Sequence, residues 1–429
     1  MLGKIGAEWG ALKSVAVHRP GMEMALGLLD PEASLYERAF NADEAAAEHE
    51  HFERVLKEQF NVKVIDLRDE IIRLANSNSK YMDMLIAEAM HAVKYIGSGR
   101  RIDDARRFAR LNWRQYGPGY FFNMLLIRPV IRLRAQSGSE RMRIDVANPL
   151  SNLYFMRDQQ LVTPDGIFIS KMATEQRREE PGVTTLLWRM LGLPVAGRAS
   201  GKAVIEGGDY MPMKKFALVG IGTRTNEQGA RQLMSSSAGF DEIAVVRQPD
   251  FSLLPHGAQY RMLDMHLDTY FNVASSSTAV GSEALLKSAR VSVYFKEGRA
   301  YRKEKDSTNL FDYIRGKGFD VINLSALEQL SYASNFLCIR DGLILSIDSN
   351  KVAGLTVRAI AEKVKEDKRY ERLYREVRRE YSKIGNSRLF PENKSLKEYG
   401  IEHYDVALEN LTGGFGGAHC MTAALERSA

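Results

Sequence analysis

The chain has 429 residues, a formal net charge of +6, 45% hydrophobic and 27% charged residues, the balance of a globular protein. Its 2 cysteines exclude a disulfide framework, and its most apolar run, YFFNMLLIRPVIRLR, is interrupted by Arg128 and Pro129, which excludes a membrane span. No Walker, CxxC or HExxH pattern points to a nucleotide or a metal, and free thiols beside an N-terminus without an apolar signal core predict a cytoplasmic protein.

LKSVAVHRP (12–20) reads as a strand leading to the helix EAAAEHEHFERVLKEQF (44–60) and the strand VKVIDL (62–67). Residues 71–140 differ in texture. EIIRLANSNSKYMDMLIAEAMHAV has helical spacing, and RIDDARRFARLNWRQY opens with Asp103 and Asp104, which suit a helix N-terminus, so the stretch reads as an all-helical insertion. It holds twelve Lys or Arg against five Asp or Glu, leaving the rest of the chain near neutral. Such a block reads as a solvated helical face or a subunit contact before it reads as a nucleic-acid surface.

The strand, helix, strand pattern then returns. YFMRDQQLVTPDGIFIS leads to VTTLLWRMLG, and AVIEGGDYMPMKKFALVGIG leads to NEQGARQLMSSSA and EIAVVR. MHLDTYFNVAS leads to GSEALLKSA, VSVYF and LFDYIRGKGFDVINL, and NFLCIRDGLILSID leads to one long charged helix over 354–383. Units of similar content at this period predict a repeat-built, radially arranged α/β domain. The GxGxxG turn of a dinucleotide fold is missing.

Polar groups stand where these strands should be apolar. YFMRD holds Arg157 and Asp158, VIEGGD holds Glu206 and Asp209, and MHLD holds His266 and Asp268, spaced to share one strand face. Each has a plain structural reading: a surface ion pair, the flanks of a glycine turn, a core histidine. Gathered from the strand edges of different units they make a pocket of acids, and buried acids need partners. With Cys420 in GGFGGAHCMT (413–422), such a pocket fits a flat cation rich in donors, a guanidinium. A thiol among carboxylates is a poor nucleophile until positive charge arrives, which a bound guanidinium brings. Cys338 in FLCIRD reads instead as a buried small hydrophobe.

Taken in order, NLYFMRD (152–158), EGGD (206–209), MHLDT (265–269) and GFGGAHCMT (414–422) resemble the arginine deiminases of the guanidino-modifying superfamily, over most of the chain. The resemblance implies a five-bladed α/β propeller with pseudo-fivefold symmetry, formed by residues 1–70 and 141–429, with 71–140 as the inserted all-helical domain. It implies hydrolysis of L-arginine to L-citrulline and ammonia through a Cys S-alkylthiouronium intermediate, with no metal and no organic cofactor. By motif position Cys420 is the nucleophile, His266 the acid and then the base, and Glu206 its neighbour, while Asp158 and Asp268 hold the guanidinium nitrogens. Asp209 is expected to hold Arg157, and Asn152, Phe155, Arg177, Arg224 and Phe415 to line the substrate site, the two arginines toward the carboxylate. His419, pointing away from Cys420 on an extended chain, is given no catalytic role. The partners implied are a small guanidino substrate and further copies of this chain, with no nucleic acid and no membrane. Phe415 stands where the family commonly has arginine, Ala418 where it has glycine and Met156 where it has threonine. Action on another guanidino compound, by hydrolysis or amidinotransfer, remains the alternative.

Overall fold

The computed structural model describes residues 2–428 except 98, 137–138, 147, 237, 255–265, 299, 305–307, 386–387 and 393–394. One small motif recurs through them: an antiparallel strand pair, then a helix, then a third strand parallel to the second. It is built by Gln160–Thr163, Gly166–Ile169 and Val195–Arg198, and by Tyr210–Pro212, Phe216–Ile221 and Glu242–Arg247. Phe271–Val273, Thr278–Gly281 and Asp320–Asn323 repeat it, as do Leu337–Arg340, Leu343–Ile347 and Glu402–Val406. In the last instance the two ends of the chain combine: Ala423–Ser428 lies antiparallel to Ala11–Val17, which runs parallel to Lys63–Asp66. The second instance is widened by Arg290–Glu297, Ala300–Lys303 and Thr308–Asn309.

Local sequence accounts for these elements. Phe216–Ile221 reads FALVGI and is buried at every position, as a strand covered on both faces must be. In the helix Ala42–Glu58, Asn41 caps the start by accepting from the amides of Asp43 and Glu44. Ala45, His49, Phe52, Val55 and Leu56 form its buried stripe at spacings of three and four. The charged stretch over 354–383 is not one helix. It divides into Ser349–Glu366 and Glu371–Ser382 because Asp367 adopts an extended backbone and caps the short turn Lys368–Tyr370.

The stretch 71–140 is not all-helical. Leu67–Ser77, Ser79–Ala92, Gly99–Leu111 and Trp113–Ile127 are helices, but Lys94–Ile96 pairs with Pro129–Gln136, which forms a hairpin with Ser139–Val146. The helix before the hairpin ends where Arg128 takes a left-handed backbone (φ 53) ahead of Pro129, and the apolar and arginine residues of VIRLR then alternate as a strand requires. Asp103 and Asp104 lie inside Gly99–Leu111 rather than at its start. These helices share a hydrophobic core with the repeats: Ile71, Leu85, Phe121 and Phe122 pack with Leu153, Ile167 and Trp188. Among the described residues, no helix is long and apolar enough to cross a membrane.

Candidate active site

The polar residues singled out in the sequence sit in turns that lead into the first strand of each motif. Asp158 precedes Gln160–Thr163, Glu206 and Asp209 precede Tyr210–Pro212, His266 and Asp268 precede Phe271–Val273, and Cys420 precedes Ala423–Ser428. The strand reading of MHLD is therefore corrected. Leu267–Thr269 is a tight 3-10 turn, closed by Thr269 Oγ1 donating to the His266 carbonyl (2.6 Å) and by the Leu267 amide donating to Asp209 Oδ1 (2.9 Å). Met265 lies outside the described residues. Gly208 lets one turn reach the next: a Cβ there would stand 2.8 Å from the His266 ring. Gly416 serves the cysteine segment in the same way, since a Cβ would overlap the Phe155 ring.

The turns bring Asp158, Glu206, His266, Asp268 and Cys420 into one buried cluster. His266 Nε2 is 2.8 Å from Glu206 Oε2, and its Nδ1 is 3.7 Å from Asp158 Oδ1. Burial disfavours the imidazolium, but Asp158, then the Glu206 hydrogen bond and Asp209, outweigh it and raise the His266 pKa to about 10. Burial likewise opposes the Glu206 carboxylate, yet the His266 hydrogen bond and the Arg224 charge lower its pKa to about 2. Cys420 Sγ lies 3.5 Å from Asp268 Oδ2 and receives the Asn335 Nδ2–H at 3.1 Å. Burial, and then the charges of Asp268 and Asp158, push the thiol well above its ordinary value, so it rests protonated. Asp158, Glu206 and His266 offer ligand atoms within 4.8 Å of one another. A metal ion there would have to displace a proton from His266, whose pKa the surrounding acids raise.

The surrounding residues divide. Arg177 donates to Asp158 Oδ2 (2.6 Å) and to Glu180 Oε2 (3.0 Å), so the expected carboxylate binder is paired with an expected guanidinium binder. Arg224 is buried, and its Nη1 has no hydrogen-bond partner among the described residues; the same is true of Asp268 Oδ1. Asn152 Nδ2 donates to the Ser34 carbonyl (2.7 Å), and its own carbonyl faces Arg177. Phe155 packs on Tyr154 with ring centroids 4.1 Å apart. Phe415, held at φ 71, lines a cavity of about 440 Å³ with Tyr36, Glu37, Arg38, Lys363 and Glu366. The expected pairing of Asp209 with Arg157 does not form. Arg157 lies on Glu8 Oε1 (3.3 Å) and the His419 carbonyl, because Asp209 is turned toward the Leu267 amide, and burial raises the Asp209 pKa to about 6.

Sequence reasoning missed Asn335. Its Oδ1 accepts from the amides of Gly417 (2.9 Å) and Cys420 (3.1 Å) while its Nδ2 reaches the thiol and the Asp268 carbonyl. It occupies the turn before Leu337–Arg340, the position that supplies the acids elsewhere, and that repetition was the available signal.

A family model described as arginine deiminase matches residues 33–427. The chain belongs to the arginine deiminase family. It is 23% identical to the arginine deiminase of Halobacterium salinarum over 98% of this chain and 96% of that one. It is 26% identical to the arginine deiminase of Staphylococcus aureus over 99% and 98%. Among solved structures it resembles AgrE in its ternary complex with ornithine and NAD+, with a TM-score of 0.52 and 12% identity, over 97% of this chain and 39% of AgrE, a likeness of fold alone. The fold is thus a mixed α/β one shared with AgrE, and the family is one of enzymes.

Proposed function

We propose that this arginine deiminase hydrolyses L-arginine to L-citrulline and ammonia at the cluster around Cys420, His266, Glu206, Asp158 and Asp268. The observation that carries the reading is the buried Cys420 thiol 3.5 Å from Asp268 Oδ2, in the same cluster of acids that holds His266 2.8 Å from Glu206. Such a thiol gains nucleophilicity when a cation displaces its proton, and the substrate guanidinium is that cation. Two orphaned groups support this ligand: Asp268 Oδ1 can accept from a guanidinium, and Arg224 Nη1 can donate to a carboxylate. Arg177 supports it too, since its own guanidinium shows Asp158 accepting from a flat cation at 2.6 Å. Asn152, Phe155 and Phe415 would face the amino-acid end, and Asp209 would steady the His266 turn.

In the reaction, the Cys420 thiol gives up its proton to solvent as the guanidinium binds, and the thiolate adds to the guanidinium carbon, giving a neutral tetrahedral adduct. His266 passes its proton to one amino group, ammonia leaves, and an S-alkylthiouronium remains. The neutral ring then takes a proton from water, whose oxygen adds to the same carbon. Collapse expels the cysteine sulfur and leaves the ureido group of citrulline. The adduct's hydroxyl proton passes to the departing sulfur, and the proton first lost by the thiol is balanced by ammonia leaving as ammonium, so the steps as written call on no metal or organic cofactor.

The repeated motifs further support a five-bladed propeller of pseudo-fivefold symmetry, with turns from different blades meeting at the hub. The helices of 71–140, joined to the blades through a common core, are the segment through which copies of the chain would associate. The purified chain supplied with L-arginine and a panel of other guanidines should release ureido product and ammonia in equal amounts, fastest from L-arginine. Cys420→Ser should reduce turnover by at least about 10⁴-fold while melting at nearly the same temperature. Near-normal turnover in that variant would sink the mechanism, and a faster guanidine would reassign the substrate.

A further inference from the structure

Behind the thiol lies a closed set of charges that the reaction as written does not use. Glu8 is 1% exposed, and its Oε1 meets His419 Nε2 at 3.1 Å, Arg157 Nη2 at 3.3 Å and Arg427 Nη2 at 3.4 Å. The other ring nitrogen of His419, Nδ1, is 2.7 Å from Asp268 Oδ2, the oxygen that lies 3.5 Å from Cys420 Sγ. An unbroken line of contacts therefore runs from Glu8 through His419 and Asp268 to the nucleophile. The family match begins at residue 33, so Glu8 lies outside it.

We propose that Glu8 and His419 are positioning residues that fix the Asp268 carboxylate against Cys420. Both nitrogens of the His419 ring face carboxylate oxygens, Glu8 on one side and Asp268 on the other, so the ring is clamped between two acids. Arg157 and Arg427 stand on Glu8, and the His419 ring ties Glu8 to the Asp268 oxygen that meets the sulfur. Glu8 holds that arrangement together: without its charge the ring has no anionic acceptor at Nε2, and two arginines face the ring uncompensated. Burial opposes the Glu8 carboxylate, but Arg157, Arg427 and His419 together hold its pKa well below the ordinary value. Asp268 is also held below its ordinary value against its burial, chiefly by His419. One oxygen of Asp268 is thus committed to His419 and the thiol, and its free Oδ1 is left in a fixed direction for the ligand. This inference rests on the proposed attack by Cys420.

Two readouts test it, one with substrate and one without. Glu8→Gln keeps the shape and removes the charge. It should lower kcat about 10- to 100-fold, the range expected when a reacting group is misplaced by about 1 Å, with KM for L-arginine within about twofold. Glu8→Asp should recover part of the loss, which a merely packed side chain would not do. The rate at which iodoacetamide alkylates Cys420, followed by peptide mapping, should differ about tenfold in Glu8→Gln because the Asp268 carboxylate beside the sulfur is no longer held, and this needs no substrate, so it decides the point even if L-arginine is not the compound turned over. In a His419→Gln background, adding Glu8→Gln should change neither rate further, because the line is already cut; His419→Gln alone serves if Glu8→Gln fails to fold. Unchanged kcat and alkylation in the single variants, or losses that multiply in the double variant, would overturn the proposal.

Discussion

Glu206 and His266 set the charge state of the site through one buried contact of 2.8 Å, and that contact makes stability depend on pH. The His266 pKa, about 10 against an ordinary 6.5, is raised by folding, so its stabilising contribution is complete below pH 6.5 and is lost as pH climbs through 10. The Glu206 value, about 2 against 4.5, is lowered, so its contribution is present above pH 4.5 and is lost as pH falls through 2. The pair therefore contributes most between pH 4.5 and 6.5. Removing one partner of a buried ion pair costs about 3–5 kcal/mol. Glu206→Gln should lose about that much unfolding free energy at pH 6 in urea titrations, with the gap to the parent protein narrowing steadily toward pH 10. A gap of constant size across that range would contradict the assignment of charge to this pair.

At the level of elements, the residues of the proposed chemistry lie in the turns before the strands, and side chains tie some of these turns together, as Asp209 does at Leu267. Asn335 ties the cysteine segment to the Asp268 turn through four hydrogen bonds. Asn335→Ala leaves the buried amides of Gly417 and Cys420 without acceptors, at about 1–3 kcal/mol each. Lower unfolding free energy by chemical denaturation, together with a kcat reduced far more than KM, is the expected result; loss of stability with unchanged kcat would assign Asn335 to packing alone. The same turns mark how far the sequence could be read. Cys420, His266, Glu206 and Asp158 were legible because a thiol, an imidazole and acids beside glycines stand out against apolar strands. The local shape of MHLD was not, since a tight turn closed by Asp209 from elsewhere in the chain leaves the same alternating pattern as a strand. Nor was the partner of Arg157, because Glu8 and Asp209 are equally good anions on paper and only the fold turns Asp209 away. The hairpin over 129–146 was missed for a plainer reason: helical periodicity on one side was carried past Arg128 and Pro129, the two residues that end it.

Across the whole molecule, the helices of 67–127 and the strand motifs are one cooperative body where they share a core. Phe122 is fully buried among Ile71, Leu85, Leu153 and Trp188. Its replacement by alanine should cost about 3–5 kcal/mol and lower a single calorimetric transition; melting of a separate helical part, with the rest unchanged, would show two independent units. The basic helix Gly99–Leu111 has no buried residue, so its arginines belong to the solvated face that the charge distribution suggested. The pairing of Ala11–Val17 with Ala423–Ser428 has a temporal consequence. Synthesis delivers the acids and the imidazole before the thiol, and the sheet that seats the thiol closes only when Ala423–Ser428 finds Ala11–Val17. A nascent chain already carrying every carboxylate of the proposed site therefore lacks the nucleophile's seat until that pairing forms.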